Sequence, residues 1–200
     1  MSETMDSSRA LIADILAGNQ SAFQTFVEQY QRLVAHIVFR MVPERADRED
    51  VCQDVFIKAY RNLGGFEFAS KVSTWIARIA YKTAVNYLQK KKILLLDDLG
   101  GASDGPSLTE LAVDPAESAG AVLERRDSFG RVQKEMNHLP PQFRALLTLY
   151  HLDEMTYEEI ADVTGLPMGT VKNYLFRARR MLKDRLLKKY RLEDIWHQGT

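Results

Sequence analysis

A single cysteine, Cys52, occurs in the 200 residues. It allows no intramolecular disulfide and no cysteine-rich zinc site, and a reducing, cytoplasmic setting fits. No apolar run approaches the roughly 20 residues that a membrane-spanning helix needs, so no membrane insertion is expected. The start of the chain carries Glu3, Asp6 and Asp14 where a secretory signal would have a basic patch and an apolar stretch, so none is expected. The four histidines, His36, His138, His151 and His197, stand far apart, with no His-x-x-x-His spacing. A glycine-rich phosphate loop is missing too, and Cys52 falls on an apolar stripe that reads as core. An enzyme is therefore not expected, and no catalytic residue, metal ligand or cofactor is assigned.

A charge excess is missing only on average. The 27 basic and 27 acidic residues cancel, yet residues 1–92 carry +3, residues 93–123 hold six acidic and no basic residues, and residues 124–200 carry +3. Two mildly basic blocks flank an acidic segment, a distribution that suits a polyanion partner and that the mean conceals.

What is present is helical. Phe23, Phe26, Val27, Tyr30, Leu33, Val34, Ile37, Val38 and Met41 recur at steps of three and four, one apolar helix face. Ser21 is its expected N-cap, and Pro43 falls just past its end. A second stripe runs through Cys52, Val55, Phe56, Ala59 and Leu63 and stops at Gly64-Gly65. A third runs from Trp75 through Ile76, Ile79, Ala80, Thr83 and Tyr87 to Lys90-Lys91-Lys92, cations suited to a helix C-terminus. A shorter helix is expected over 8–17. Four such helices can share a core within about 90 residues.

Residues 93–120 break the pattern with Gly100-Gly101, Asp104-Gly105-Pro106 and Asp114-Pro115. They read as a flexible acidic linker; the apolar run at 93–96 leaves open an extended segment gripped by a partner. Helices resume over 119–138 and again around Phe143, Leu146, Leu147 and Tyr150. The expected fold class is all-α: two small helical domains, 1–92 and 121–200, tethered by the linker 93–120. Strand-period alternation is not seen.

Chemistry concentrates in residues 156–182. Thr156 and Glu159 have the spacing of a capping box, which fixes a helix start. Ala161, the turn residue Gly165 and Val171 have the spacing of a helix-turn-helix, with Pro167 expected in the first turn of the second helix. Val171, Leu175, Ala178 and Leu182 step inward along that helix. Lys172, Asn173, Phe176, Arg177 and Arg180 step outward, and nine basic residues against one acidic residue lie between Lys172 and Arg191. Lys and Arg reach guanine or phosphate, Asn suits adenine, and Phe176 suits a thymine methyl. This is the chemistry of a major-groove recognition helix.

A second nucleic-acid surface is expected over 66–92. Phe66, Phe68, Trp75, Tyr81 and Tyr87 accompany Lys71, Arg78, Lys82 and the lysine triplet, with no acid from Phe68 through Lys92. Ring faces beside cations are what unstacked bases require, and the loop 66–71 has room for an extruded base. Trp75 and Tyr87 read as core; for Lys71, Arg78 and Lys82 a solvated face and a binding face remain open. Five acids, Glu44, Asp47, Glu49, Asp50 and Asp54, crowd the start of the second helix. That exceeds what the helix dipole needs and points to a basic protein partner.

Three segments together resemble the extracytoplasmic-function (ECF) sigma factors of bacteria, which carry only regions two and four. Asp50-Val51-Cys52-Gln53-Asp54-Val55-Phe56 is similar to their Asp-x-x-Gln-Asp-x-Phe segment, and Ser73-Thr74-Trp75-Ile76-Ala77-Arg78-Ile79-Ala80 to their Thr-Trp-Leu-x-Arg-Ile-Ala segment. Residues 166–179 (Leu-Pro-Met-Gly-Thr-Val-Lys-Asn-Tyr-Leu-Phe-Arg-Ala-Arg) are similar to their Leu-Pro-x-Gly-Thr-Val-Lys-Ser-Arg-Leu-x-Arg-Ala-Arg segment. The resemblance spans about residues 10–190.

It implies that Asp50, Gln53, Asp54 and Phe56 dock on the clamp helices of the RNA polymerase β′ subunit. Phe66, Phe68, Ser70, Lys71, Arg78 and Lys82 would then open and read the −10 element. Lys172, Asn173, Tyr174, Phe176, Arg177 and Arg180 would read the −35 element as duplex, in a block that also meets the β flap. An anti-sigma partner is implied as well, and the linker would thread toward the polymerase channels. Departures from the pattern are Tyr81-Lys82 for Arg-Asn, Asn86 for Asp, Asn173 for Ser and Tyr174 for Arg. A stand-alone helix-turn-helix regulator is the rival; it leaves the aromatic-basic loop and the acidic cluster without a task.

Overall fold

Asn19 begins the longest run of apolar periodicity. Its side-chain oxygen accepts from the backbone N–H groups of Ser21 (3.0 Å) and Ala22 (3.3 Å), so Asn19, not Ser21, is the N-cap. Gly18, with φ of 89°, supplies the left-handed step that brings the chain into it. The resulting helix α2 (Gln20–Met41) buries Phe26, Tyr30, Val34, Ile37, Val38 and Met41 along one face.

The structure, a computed structural model, describes residues 2–98 and 127–190, with side chains over 6–92 and 130–190. Around α2 lie α1 (Ser2–Leu16), α3 (Arg45–Asn62), a 3-10 turn (Leu63–Gly65) and α4 (Val72–Asp98). A second block holds α5 (Asp127–Asn137), α6 (Pro141–His151), α7 (Tyr157–Thr164) and α8 (Met168–Lys189). No strand occurs among the described residues. The all-α expectation holds, and the linker from 99 onward lies outside the described residues.

Two helix ends differ from the sequence reading. The first helix begins at Ser2, upstream of the expected residue 8. The third continues past Lys90-Lys91-Lys92 to Asp98, so the apolar run at 93–96 is helical, not extended. Leucine propagates a helix well, and no Gly or Pro stops this one before Gly100.

The two blocks are not held apart as tethered modules. α2 packs on α6 and α4 packs on α7, in addition to the contacts each makes within its own block. α6 explains why. From Pro141 through Leu149 every residue is buried, including Gln142, Arg144 and Thr148. A helix covered around its whole circumference needs partners on all sides. α8 and α7 cover part of it, and α2 of the other block covers the rest.

The centre of the first block makes the most direct test of this packing. Phe26 is 1% exposed and lies 4.8 Å, ring to ring, from Tyr30. Phe26→Ala should cost about 3–5 kcal/mol of stability through the cavity it leaves, read as a lower denaturant midpoint with an unchanged slope.

Candidate nucleic-acid interfaces

Thr156 and Glu159 form the expected capping box. The Glu159 N–H donates to Thr156 Oγ1 (3.2 Å), and the Thr156 N–H donates to Glu159 Oε2 (2.9 Å). α7 ends at Gly165 with φ of 73°, a left-handed C-cap whose N–H donates to the Ala161 carbonyl at 2.8 Å. Pro167 sits one residue earlier than expected, as the N-cap of α8. Val171, Leu175 and Ala178 are fully buried against the block, which turns the opposite face of α8 outward.

On that outer face Lys172, Asn173, Phe176, Arg177 and Arg180 are exposed, Phe176 at 65%. An apolar ring this open, beside cations, has little packing role among the described residues. Three cations of α8 rest on rings of the neighbouring helices: Lys172 on Tyr157 (5.6 Å), Arg177 on Phe143 (5.6 Å) and Arg179 on Tyr150 (4.8 Å). Arg179 also donates from Nε to His151 Nε2 (3.3 Å). It was missed in the sequence because it falls on neither stripe. Tyr174 departs from the expected set: it is half-buried, edge-on to Phe143 with ring centres 5.4 Å apart.

In the first block the loop after α3 is an aromatic stack. Phe66 lies 4.7 Å from Phe68 and 5.1 Å from Trp75, and the Arg9 guanidinium of α1 covers Phe68 at 5.2 Å. Phe68 has φ of 56°, a conformation rare for a bulky residue and maintained here by the stack. Ser70 is half-buried, and Lys71 and Lys82 are exposed. Arg78 is half-buried, and its Nε is buried with no hydrogen-bond partner. The Lys71 ammonium is 2.8 Å from Glu159 Oε1, a residue of the helix-turn-helix.

The acidic cluster divides in two. Glu44 and Asp47 turn inward, accept from the Tyr87 hydroxyl and pair with Lys91. Burial alone would raise the Glu44 carboxyl, but Lys91 and Tyr87 outweigh it and hold it below its ordinary value of 4.5. Burial, then Asp47 and Glu44, push the Tyr87 hydroxyl far up. Glu49, Asp50, Gln53 and Asp54 remain exposed on α3. Beside them Phe56 is half-buried, and Ile57 and Tyr60 are 47% and 52% exposed. Gln53, Phe56, Ile57 and Tyr60 line a groove of about 890 Å³ that Phe23 of α2 closes from the other side. Ile57 and Tyr60 lie off the core stripe of α3, so apolar periodicity did not reveal them.

The described residues thus hold a helix with an exposed cationic face, a loop where aromatic rings lie beside cations, and an acidic-apolar face on α3. Residues 26–93 match the family "Sigma-70 region 2" and residues 129–182 match "Sigma-70, region 4". These two matches define a sigma-70-type transcription initiation factor.

The ECF RNA polymerase sigma-E factor of Haemophilus influenzae is 34% identical over 184 residues, covering 89% of this chain and 94% of that protein. Its namesake in Escherichia coli is 34% identical over 195 residues, covering 93% and 97%. The RNA polymerase sigma-H factor of Pseudomonas aeruginosa is 33% identical over 180 residues, covering 90% and 93%. The chain belongs to the ECF RNA polymerase sigma factors.

Two solved structures share the fold. CnrH, in complex with the cytosolic domain of CnrY, matches with a TM-score of 0.60 at 22% identity, covering 91% of this chain and 98% of that one. The sigma factor RpoE, in complex with the anti-sigma factor NepR from Bartonella quintana, matches with a TM-score of 0.61 at 22% identity, covering 84% and 98%.

The Glu44 pairing makes a pH prediction. A carboxyl held below its unfolded value stabilises the fold above that value and loses the contribution as pH falls through the folded one. Lys91→Met should therefore lower the melting temperature at neutral pH and flatten its decline below the ordinary carboxylate range. Thermal melts across a pH series check this; parallel curves for variant and parent would refute it.

Proposed function

We propose that this sigma factor divides its work by block. Asp50, Gln53 and Asp54, with Phe56 and the apolar groove beside it, dock on core RNA polymerase at the β′ clamp helices. Phe66, Phe68, Ser70, Lys71, Arg78 and Lys82 take the opened −10 strand. Lys172, Asn173, Phe176, Arg177 and Arg180 read the −35 duplex. Tyr174, expected among the −35 contacts, instead supports α8 from below. The chain acts in the cytoplasm, and an anti-sigma protein holds it off polymerase by covering the α3 face.

The observation that carries this is the outer face of α8, where cations, an amide and a bare phenyl ring project from a helix whose opposite side is buried from Val171 to Ala178. The acidic face of α3 supports the polymerase step, because Glu49 and Asp50 stay exposed and Asp54 makes only an exposed 3.8 Å pair with Lys58 of its own helix. Each DNA face is only modestly charged, so free chain should hold DNA weakly, and docking on one rigid enzyme raises the effective concentration of the second face once the first is bound.

Reconstituted transcription with purified core polymerase is the decisive test: start-site choice must depend on adding this chain. Arg177→Ala should lower discrimination for the −35 duplex by about 1–3 kcal/mol, roughly 5- to 150-fold, in competition binding by the holoenzyme. Asp54→Lys should reduce co-elution with core polymerase, and normal co-elution would remove α3 from the docking face. Tight duplex binding by the chain without polymerase would favour a stand-alone regulator.

A further inference from the structure

The start of α6 gathers positive charge that no carboxylate answers. The helix opens at Pro141 with no side-chain cap and no acid in its first turn, so its dipole is positive here. Arg144, one turn on, is 6% exposed; its Nη1 donates to the Asn137 carbonyl, and its Nε is buried with no hydrogen-bond partner. Arg40 of α2 reaches the same residue, donating to Asn137 Oδ1 at 3.4 Å. Arg48 of α3 donates to the Val42 and Pro43 carbonyls at 2.9 and 3.0 Å. Arg40 and Arg48 are half-buried, and Arg45 beside them is exposed.

Every oxygen that these three guanidiniums meet is neutral. Among the described residues none of the three forms an ion pair. Glu44, the one carboxylate whose field Arg48 feels, is already held by Lys91 and Tyr87. The guanidiniums feel one another instead. Burial and then Arg48 lower Arg40, and burial, then Arg40 and Arg48, lower Arg144 to about 10. A withdrawn charge without a counterion is costly. Planar forks that converge on one place, with donors unspent, are suited to a phosphate, whose several oxygens accept from more than one fork at once.

We propose that Arg40, Arg48 and Arg144 form a binding site for a small free phosphate group, inorganic phosphate or the phosphate end of a nucleotide, where α2, α3 and α6 meet. The site goes beyond the DNA and polymerase faces assigned above and depends on neither. A doubly charged terminal phosphate suits it better than a nucleic-acid backbone, whose phosphates carry a single charge each and whose bulk the burial of Arg144 resists. The bound group would supply the missing counterion and bridge the first block to α6.

Inorganic phosphate is the probe. Titrated into the full-length chain at mildly alkaline pH and constant ionic strength, balanced with chloride, it should raise the melting temperature saturably, and equilibrium dialysis of radiolabelled phosphate should count one per chain. Arg40→Gln and Arg48→Gln should each weaken binding by about tenfold or more. Lys188→Gln, on the exposed surface of α8, should leave it unchanged. Arg40→Glu supplies a carboxylate beside the other two arginines. It should melt no lower than the parent in chloride and gain nothing from phosphate.

No saturable response, several phosphates per chain, an equal loss in Lys188→Gln, or a phosphate response that survives in Arg40→Glu overturns the proposal. So does retention of a single-stranded oligonucleotide by these arginines without any binding of phosphate, which would assign them to nucleic acid. ATP in parallel identifies the source, and either result supports the site: affinity equal to that of phosphate marks the free ion, and tighter binding marks a nucleotide.

Discussion

α6 must be covered on every side, and the arrangement of the molecule follows from that constraint. Its residues from Pro141 to Leu149 are all buried, yet the helix-turn-helix and its long recognition helix cannot enclose it alone. The remaining side is met by α2, itself the central helix of the first block, with Val34, Ile37 and Val38 wholly buried. One continuous set of buried side chains therefore crosses from one block into the other. Each block has its own apolar nucleus, which is why family matches recognise them separately; the contact between them is an additional layer of burial. Inter-block contacts of this kind stabilise without being indispensable to either part, and relative motion is their ordinary behaviour.

Much of this was legible in the sequence, for reasons that can be named. The stripe from Phe23 to Met41, the Thr156/Glu159 capping box, Gly165 at positive φ and the inward row Val171, Leu175, Ala178 are local: each depends on spacing within a few turns of one helix, and periodicity reports spacing. The Asn19 cap was misplaced by two residues because both Asn and Ser cap well and the pattern alone does not separate them. The illegible part is the seam. His36 meets Asp153 across 117 positions, and Lys71 meets Glu159 although nothing in either local pattern marks it. Isolated charged residues on helix surfaces look alike whether they face water or a second block, so charge count did not show that Arg78 is half-buried or that Lys71 pairs across the seam. Tyr174 shows the same limit. The family resemblance alone placed it among the −35 contacts, but a ring in that position gains more by meeting Phe143 edge-on.

The seam is also balanced in charge. At one end Lys71 and Glu159 attract, and His36 and Asp153 add a second contact. At another, Arg144 of α6 lies near Arg40 of α2 and Arg48 of α3. Burial and then these two neighbours lower the Arg144 guanidinium to about 10. Backbone and side-chain oxygens, not carboxylates, take the hydrogen bonds of these arginines: Asn137 receives Arg40 and Arg144, and the Val42 and Pro43 carbonyls receive Arg48. Three guanidiniums with neutral acceptors repel one another across the seam. Exposed ion pairs such as Lys71–Glu159 contribute little each, so attraction at one end and repulsion at the other leave apolar burial around α6 to decide the balance.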